Sequence, residues 1–458
     1  MTMPQASSPG LVATAWLTFA LALLFNLLTQ QAALSHDASA FFVMMLEQRD
    51  FAIWPANRMF AVGLMEAPVV LALRLGVTDV ETLQLCFGIG VLMAWPLALL
   101  VCWRLAPGAF WLPVAALGLA HLNSAIPGFS PALVAHALVW PVLVALVFVR
   151  PLNRLAGAAL ASCSLLLLYS YESQLLLGPP LAALAFWRLR QREPAWARAV
   201  LVASGLLLLG SAAMAIEGLT QTDNSVNRDR YLAGALRLLT QPPWTVGFTA
   251  LLAAATVAAL FRPGLALSMR RWPLRGLATL CLLIWGFWPL LAPELLRPYD
   301  QYHARVLNLA VPLALLPVAL LAASQPAWFA RRLRILRGGV LALLLAQSLW
   351  HIATTVQWQG YVAVLRGTLA TLDGPLRIDD TPLGGAMLGR QSLRFHMPWS
   401  LPRLTLLLAP EGRVRGLLYS RADYFHPYDP PLAATLPDLS RYGFDFTPYL
   451  EALRRQKP

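Results

Sequence analysis

Long apolar stretches alternate with short polar ones through the first 356 residues. The clear apolar runs fall at 11–30, 83–103, 109–122, 131–149, 155–170, 173–187, 199–216, 244–261, 276–292, 306–324 and 338–356. About 20 apolar residues suffice to cross a hydrocarbon core, so the pattern predicts an all-α polytopic membrane protein of about eleven transmembrane helices. Several runs fall short of that length. Pro96, Pro141, Pro289, Pro312 and Pro317 lie inside runs, where packed bundles tolerate the backbone groups that proline frees.

Two regions break the pattern. Segment 58–75 is apolar but contains Arg58, Glu66 and Arg74, charges that are costly at the bilayer centre. It is expected to lie along the outer surface as an interfacial helix, within an outer loop at 31–82. From 357 onward Pro, Asp, Arg and Tyr become frequent, and stretches such as LPRLTLLL and RVRGLLYS resemble strands. The chain therefore divides into a membrane module, 1–356, and a small external α/β domain, 357–458.

Composition strengthens the membrane reading. Hydrophobic residues make up 58% of the chain and charged ones 12%, against roughly 25% charged in soluble proteins. The net charge of +13 comes almost wholly from arginine, with Lys457 the single lysine. Spread between apolar runs, these arginines report loop topology and give no footprint for nucleic acid. Arg104, Arg150, Arg154, the 188–198 stretch, the 262–275 stretch and RRLRILR at 331–337 fall on one side of the predicted bundle. The positive-inside rule makes that side cytoplasmic. An odd number of crossings then places the N-terminus inside and the tail outside. Cys86, Cys102, Cys163 and Cys281 lie in or beside apolar runs and read as small hydrophobes. The first run lacks a basic leader and a small-residue cleavage site, so it is expected to be retained as a helix.

Chemistry is expected on the outer side. His36 and Asp37 follow the first run, and Asp37 also stands where it can cap the helix predicted for AFFVMMLEQR. Glu66 belongs either to the same pocket or to a salt bridge with Arg58 or Arg74. Glu172, flanked by Tyr169 and Tyr171 in LLLLYSYESQLLLGPP, lies in an outer turn or, if 155–187 is one helix, inside the membrane. Glu217, Asp223, Asn227 and Arg228 form a polar outer loop that is either solvated or sugar-binding. His121 and Asn123 are weaker candidates. No metal-ligand spacing and no Walker or Rossmann glycine pattern stands out, which disfavours a cytoplasmic nucleotide-sugar donor.

The loop DASAFFVMMLEQRDFAIWPANRMFAVGLMEAPVVLALRLGVTD, residues 37–79, resembles the first outer loop of polytopic GT-C-type glycosyltransferases that use polyprenyl-phosphate sugars. Those include the protein O-mannosyltransferases and the lipid A aminoarabinose transferase. The likeness rests on Asp37 with Phe41 and Phe42, on Arg49-Asp50-Phe51 with Pro55, on Glu66-Ala67-Pro68, and on Leu75-Gly76. It departs in Ala67, where the family has lysine, in His36-Asp37 for Asp-Glu, and in phenylalanine for tyrosine. The resemblance implies a transferase of the bacterial inner membrane, acting at the periplasmic face on a glycan, lipid or protein acceptor. Asp37 would activate or orient the acceptor hydroxyl, with Glu66 and Glu172 as further catalytic candidates. Phosphate is a good leaving group, so one carboxylate can suffice for an inverting displacement. Arg58, Arg297, Tyr299, His303 and Arg305 are the groups placed to hold the phosphate, the last four on a loop that otherwise reads as an ordinary membrane edge. A divalent cation could bridge carboxylate and phosphate. A lipid-linked glycan transporter or flippase, and an O-antigen-ligase-like polymer transferase, are the alternatives.

Overall fold

The computed structural model describes residues 9–121 apart from 29, 36 and 55, then 130–220, scattered positions between 312 and 353, and 355–378, 400–419 and 436–456. The architecture is overwhelmingly helical. Among the described residues, nine α-helices precede position 221: α1 (Pro9–Leu28), α2 (Ala38–Gln48), α3 (Met59–Arg74), α4 (Val80–Leu105), α5 (Trp111–His121), α6 (Pro131–Phe148), α7 (Arg154–Leu168), α8 (Gln174–Arg188) and α9 (Ala195–Thr220). Four described helical stretches are long and apolar enough to cross a membrane: Ala56–Arg74, Val80–Leu105, Pro131–Phe148 and Ala195–Thr220. The first covers most of segment 58–75, expected to lie along the outer surface, and its length and apolarity suit a crossing instead. The predicted runs at 244–261 and 276–292 lie outside the described residues, and those at 306–324 and 338–356 are described only at scattered positions.

Local signals account for the helix ends. Asp79 caps α4, accepting from the Thr82 N–H at 2.8 Å and the Thr82 hydroxyl at 2.6 Å. Asn153 caps α7 by accepting from the Ala156 N–H at 2.8 Å. Pro131 opens α6, where its missing N–H is no loss. α2 ends at Arg49, whose φ of 56° is left-handed and whose N–H donates to the Met45 carbonyl at 2.8 Å. α4 runs for 26 residues, about 39 Å at 1.5 Å per residue. That exceeds a hydrocarbon core of about 30 Å.

Packing along α4 organises the N-terminal module. α3 turns back on it after Gly76, and at Gly90 the two backbones meet: a Cβ there would lie 1.9 Å from the Met65 carbonyl oxygen. Phe42 of α2 packs on Phe87 with ring centroids 5.5 Å apart. His136 of α6 sits between Trp95 and Trp140, at 5.3 and 6.1 Å. α7, α8 and α9 form a second group, with Gly178 of α8 against the Leu208 carbonyl of α9.

The groups are tied by a buried arginine. Arg188, at the end of α8, donates through Nη1 to the carbonyls of Ala145, Leu146 and Val149 at 3.1, 2.9 and 2.9 Å. Its Nη2 pairs with Glu193, and Glu193 accepts the Leu152 N–H at 2.9 Å. The last carbonyls of α6, which a helix leaves unpaired, are thus satisfied by a side chain from α8.

The tail lies against the first loop. Residues 355–371 are helical, so this helix continues through the expected module boundary at 356/357. Strands β1 (Gly374–Arg377) and β2 (Gly416–Tyr419) pair in parallel, Gly374 opposite Gly416. The stretch expected as a first strand, LPRLTLLL, is instead a helix over Leu401–Leu407. Leu401, Leu404, Leu406, Leu407 and Leu408, interrupted by Arg403 and Thr405, fit a buried strand or a buried helix, and Pro402 in the first turn favours the helix. This helix packs on α2, where the Ser39 hydroxyl donates to the Ser400 carbonyl at 3.3 Å. The Tyr442 hydroxyl donates to the Leu46 carbonyl at 3.0 Å. α2 and the tail therefore lie together on one side of the molecule.

Candidate functional site

Glu172 sits in the five-residue turn between α7 and α8, so 155–187 is a helical hairpin and not one long helix. Only 7% of it is exposed. Its Oε1 accepts from Arg58 Nε at 2.9 Å, from Arg58 Nη2 at 2.6 Å and from Asn57 Nδ2 at 3.4 Å. The Arg58 guanidinium lies 4.8 Å from the centre of the Tyr171 ring, a cation–π contact. Beside it the Phe60 N–H donates to the Tyr169 carbonyl at 2.9 Å, and the two rings meet edge to face at 5.5 Å. α9 closes the cluster at Gly218, where a Cβ would lie 1.9 Å from Asn57 Nδ2. The start of α3, the α7–α8 turn and the end of α9 thus converge on one polar knot.

The knot has acceptor capacity to spare. Glu172 Oε2, Asn57 Oδ1 and Gln174 Oε1 are buried without a hydrogen-bond partner among the described residues. Burying an acceptor unsatisfied costs about 1–3 kcal/mol. Groups that donate, such as hydroxyls, are what this arrangement can take up.

Glu66 is elsewhere in the module. It is fully buried in α3, and its Oε2 accepts the Ala52 N–H at 2.8 Å while Oε1 has no partner among the described residues. The salt bridge expected from Glu66 to Arg58 or Arg74 does not form. Arg58 is engaged by Glu172, and Arg74 pairs with Asp50 at 3.0 Å on the surface. The Phe51 N–H on the Asp50 carboxylate, aided by Arg74, holds its pKa below the usual range. Glu66 instead ties the chain after α2 to α3.

Asp37 occupies the position before α2 but makes no side-chain capping bond. Its φ of −74° and ψ of −17° are already helical, whereas a capping side chain reaches the first-turn N–H groups from an extended backbone. The capping role expected for it is therefore not what the residue does. It is half-buried, and its carbonyl accepts the Ala40 and Phe41 N–H groups at 3.1 and 3.3 Å. Neither Asp37 nor Glu66 is among the described partners of Glu172. Glu217 is exposed on α9, and His121 ends α5. Arg297, Tyr299, His303, Arg305, His36, Asn123, Asp223, Asn227 and Arg228 lie outside the described residues.

Two members of the knot escape a reading of the sequence. Asn57 and Gln174 are ordinary polar residues until the fold buries them. His136, whose ring nitrogens are both buried and unpartnered among the described residues, carries a legible signal as a lone histidine inside an apolar run. Arg188 looks like one more loop arginine. Among the described residues no group of three or more His, Cys, Asp or Glu side chains could hold a metal ion. No protein-family profile matches the chain, and no curated protein or solved structure is significantly similar to it.

Proposed function

We propose that this chain is a glycosyltransferase of the bacterial inner membrane. It moves a sugar from a polyprenyl-phosphate donor to a glycan, lipid or protein acceptor at the outer face. The observation that carries the reading is the knot around Glu172, a buried carboxylate, amide, guanidinium and aromatic ring whose buried acceptor atoms have no partner among the described residues, in a chain whose loop 37–79 resembles the first outer loop of such enzymes. In this reading Glu172 Oε2 and Asn57 Oδ1 accept hydroxyls of the donor sugar. Arg58, neutralised by Glu172, positions that carboxylate.

Asp37 supplies the base. Its carboxylate takes the proton of the acceptor hydroxyl as the acceptor oxygen bonds to the anomeric carbon. The bond from that carbon to the phosphate oxygen breaks, and the electron pair leaves with the polyprenyl phosphate. One displacement inverts the anomeric configuration. Arg297 and Arg305, with Tyr299 and His303, hold the phosphate. About eleven crossings, with the N-terminus cytoplasmic and the tail periplasmic, complete the arrangement.

The test is transfer by the purified protein in lipid nanodiscs, offered a panel of radiolabelled polyprenyl-phosphate sugars with envelope lipids and glycans as acceptors. Labelled product of inverted configuration is expected. Asp37→Asn should lower its rate by about 10²–10⁴, the usual contribution of a general base. Wild-type protein that neither consumes a donor nor binds polyprenyl phosphate would overturn the proposal.

A further inference from the structure

Where the tail meets the N-terminal module the fold leaves a cavity of about 550 Å³. The first turns of α4 form one wall, the 355–371 helix another, and the tail segments 407–412 and 442–444 the rest. It is separate from the knot around Glu172: no residue lines both.

The cavity's polar lining is uncommitted. Gln84, from α4, is only 6% exposed, yet its amide has no hydrogen-bond partner among the described residues. That amide is not one of the fold's buried, unpartnered groups, so it meets the solvent of the cavity and is available to a bound polar molecule. Glu81, Glu411 and Arg366 line the same space and form no ion pair among the described residues. Asp79 is the exception, being occupied by Thr82.

The backbone at Glu411 is held in an unfavourable state. Its φ of 50° is left-handed, a conformation that costs a residue with a side chain about 1–2 kcal/mol. The next residue, Gly412, has a φ of 71°, and a Cβ there would lie 2.2 Å from the Gly443 carbonyl. The Asp445 N–H donates to the Gly412 carbonyl at 2.9 Å, and the Val414 N–H to the Asp445 carbonyl at 2.9 Å. The clasp between 412–414 and 443–445 over-determines the turn and fixes Glu411 at the rim. Strain maintained in this way is a feature of ligand clamps.

Charge selects the ligand. Asp79, Glu81 and Glu411 against Arg366 leave the lining at −2 (three acids less one cation), in a chain whose net charge is +13. Such a site repels phosphates, polyprenyl phosphate included. Carboxylates and an amide accept hydroxyl and amine donors, a guanidinium donates to ring and hydroxyl oxygens, and the largely buried Tyr442 and Phe444 add apolar lining. The volume lies within the roughly 300–1,000 Å³ of small-molecule sites.

We infer that this cavity binds an uncharged or amine-bearing carbohydrate. Its identification as the acceptor, or the part of the acceptor nearest the tail, rests on the transferase reading; the binding itself does not.

The full-length protein, in a detergent without a sugar headgroup and with no donor present, is titrated with glucose, N-acetylglucosamine, glucosamine and maltose, with glucose 6-phosphate as the anionic control. Saturation-transfer NMR and calorimetry read the binding. At least one of the four sugars should bind and glucose 6-phosphate should not. Glu81→Gln and Gln84→Leu should each weaken the interaction tenfold or more. Because Gln84 is buried and its replacement can perturb folding, Arg366→Gln on the exposed wall gives an independent variant with the same expected loss. Absence of binding by all four sugars, affinities unmoved by Glu81→Gln and Arg366→Gln, or preference for glucose 6-phosphate would each overturn the inference. No step uses a donor, so failure here is distinguishable from failure of the transfer assay.

Discussion

Replacing Arg188 with methionine keeps the length and apolar stem of the side chain and removes every donor it contributes. Arg188 and Glu193 have side chains 0% and 1% exposed, so the variant leaves an ionised or newly protonated carboxyl buried with the Leu152 N–H as its described partner. Removing one member of a buried pair costs about 3–5 kcal/mol. The carbonyls of Ala145, Leu146 and Val149 also lose their shared donor, which acts in the same direction. Arg188→Met combined with Glu193→Gln removes the stranded charge while the new amide oxygen still accepts from the Leu152 N–H, so the double variant should be more stable than Arg188→Met. The assay is thermal unfolding followed by intrinsic tryptophan fluorescence in one detergent, with the double-mutant cycle isolating the coupling. A stability loss of this size should lower the apparent midpoint of Arg188→Met by several degrees. A midpoint within about 1 °C of wild type, or a double variant less stable than the single one, would refute the assignment of Arg188 as the cap of α6.

Two further outcomes follow from the tail and from α4. Tyr442→Phe deletes only the hydroxyl that reaches the Leu46 carbonyl; it should cost about 0.5–1.5 kcal/mol and speed proteolysis of the tail in a limited-digestion time course, whereas an unchanged rate would show that this bond does not secure the tail. Asp79→Ala should cost about 1 kcal/mol at neutral pH through loss of the α4 cap. Bonds from the Thr82 hydroxyl and N–H hold the Asp79 pKa below its ordinary 3.8, so the cap's contribution is complete above that value and fades as pH falls through the lower, folded one. Unfolding measured from pH 7 to pH 3 should therefore show the gap between wild type and variant narrowing toward the acid end. A gap that stays constant would assign the loss to something other than the carboxylate.

The described helices are largely legible because lipid is an unforgiving solvent for exposed backbone, and sustained apolarity follows from it. The run at 83–103 corresponds to Val80–Leu105, and that at 131–149 to Pro131–Phe148. Legibility fails where one local pattern supports two answers, as at Leu401–Leu407, or where partners are remote. Arg58 and Glu172 each stand out in the sequence, but they are 114 residues apart. Nothing local says that the cation expected to meet phosphate would be neutralised by an acid counted among the catalytic candidates. Asn57, Gln174 and Gln84 acquire meaning only from burial. Asp37 shows the reverse: a residue type and position that promise a cap, on a backbone already helical and unable to provide one.

Arg188 carries this limit into the topology itself. A count of loop arginines treats each as a solvated charge held back from translocation, but Arg188 is wholly buried and paired with Glu193. It contributes a helix cap and little net field. Within the α6–α9 group the expected orientation then rests on Arg150, Arg154, Arg190, Arg192 and Arg198, all exposed beside the same helix ends. With Arg188 discounted, five arginines still mark that end of the α6–α9 group, opposite the turn that holds Glu172. The polar knot and the basic rim thus occupy opposite ends of the same helices, the separation that the proposed outer-face transfer requires.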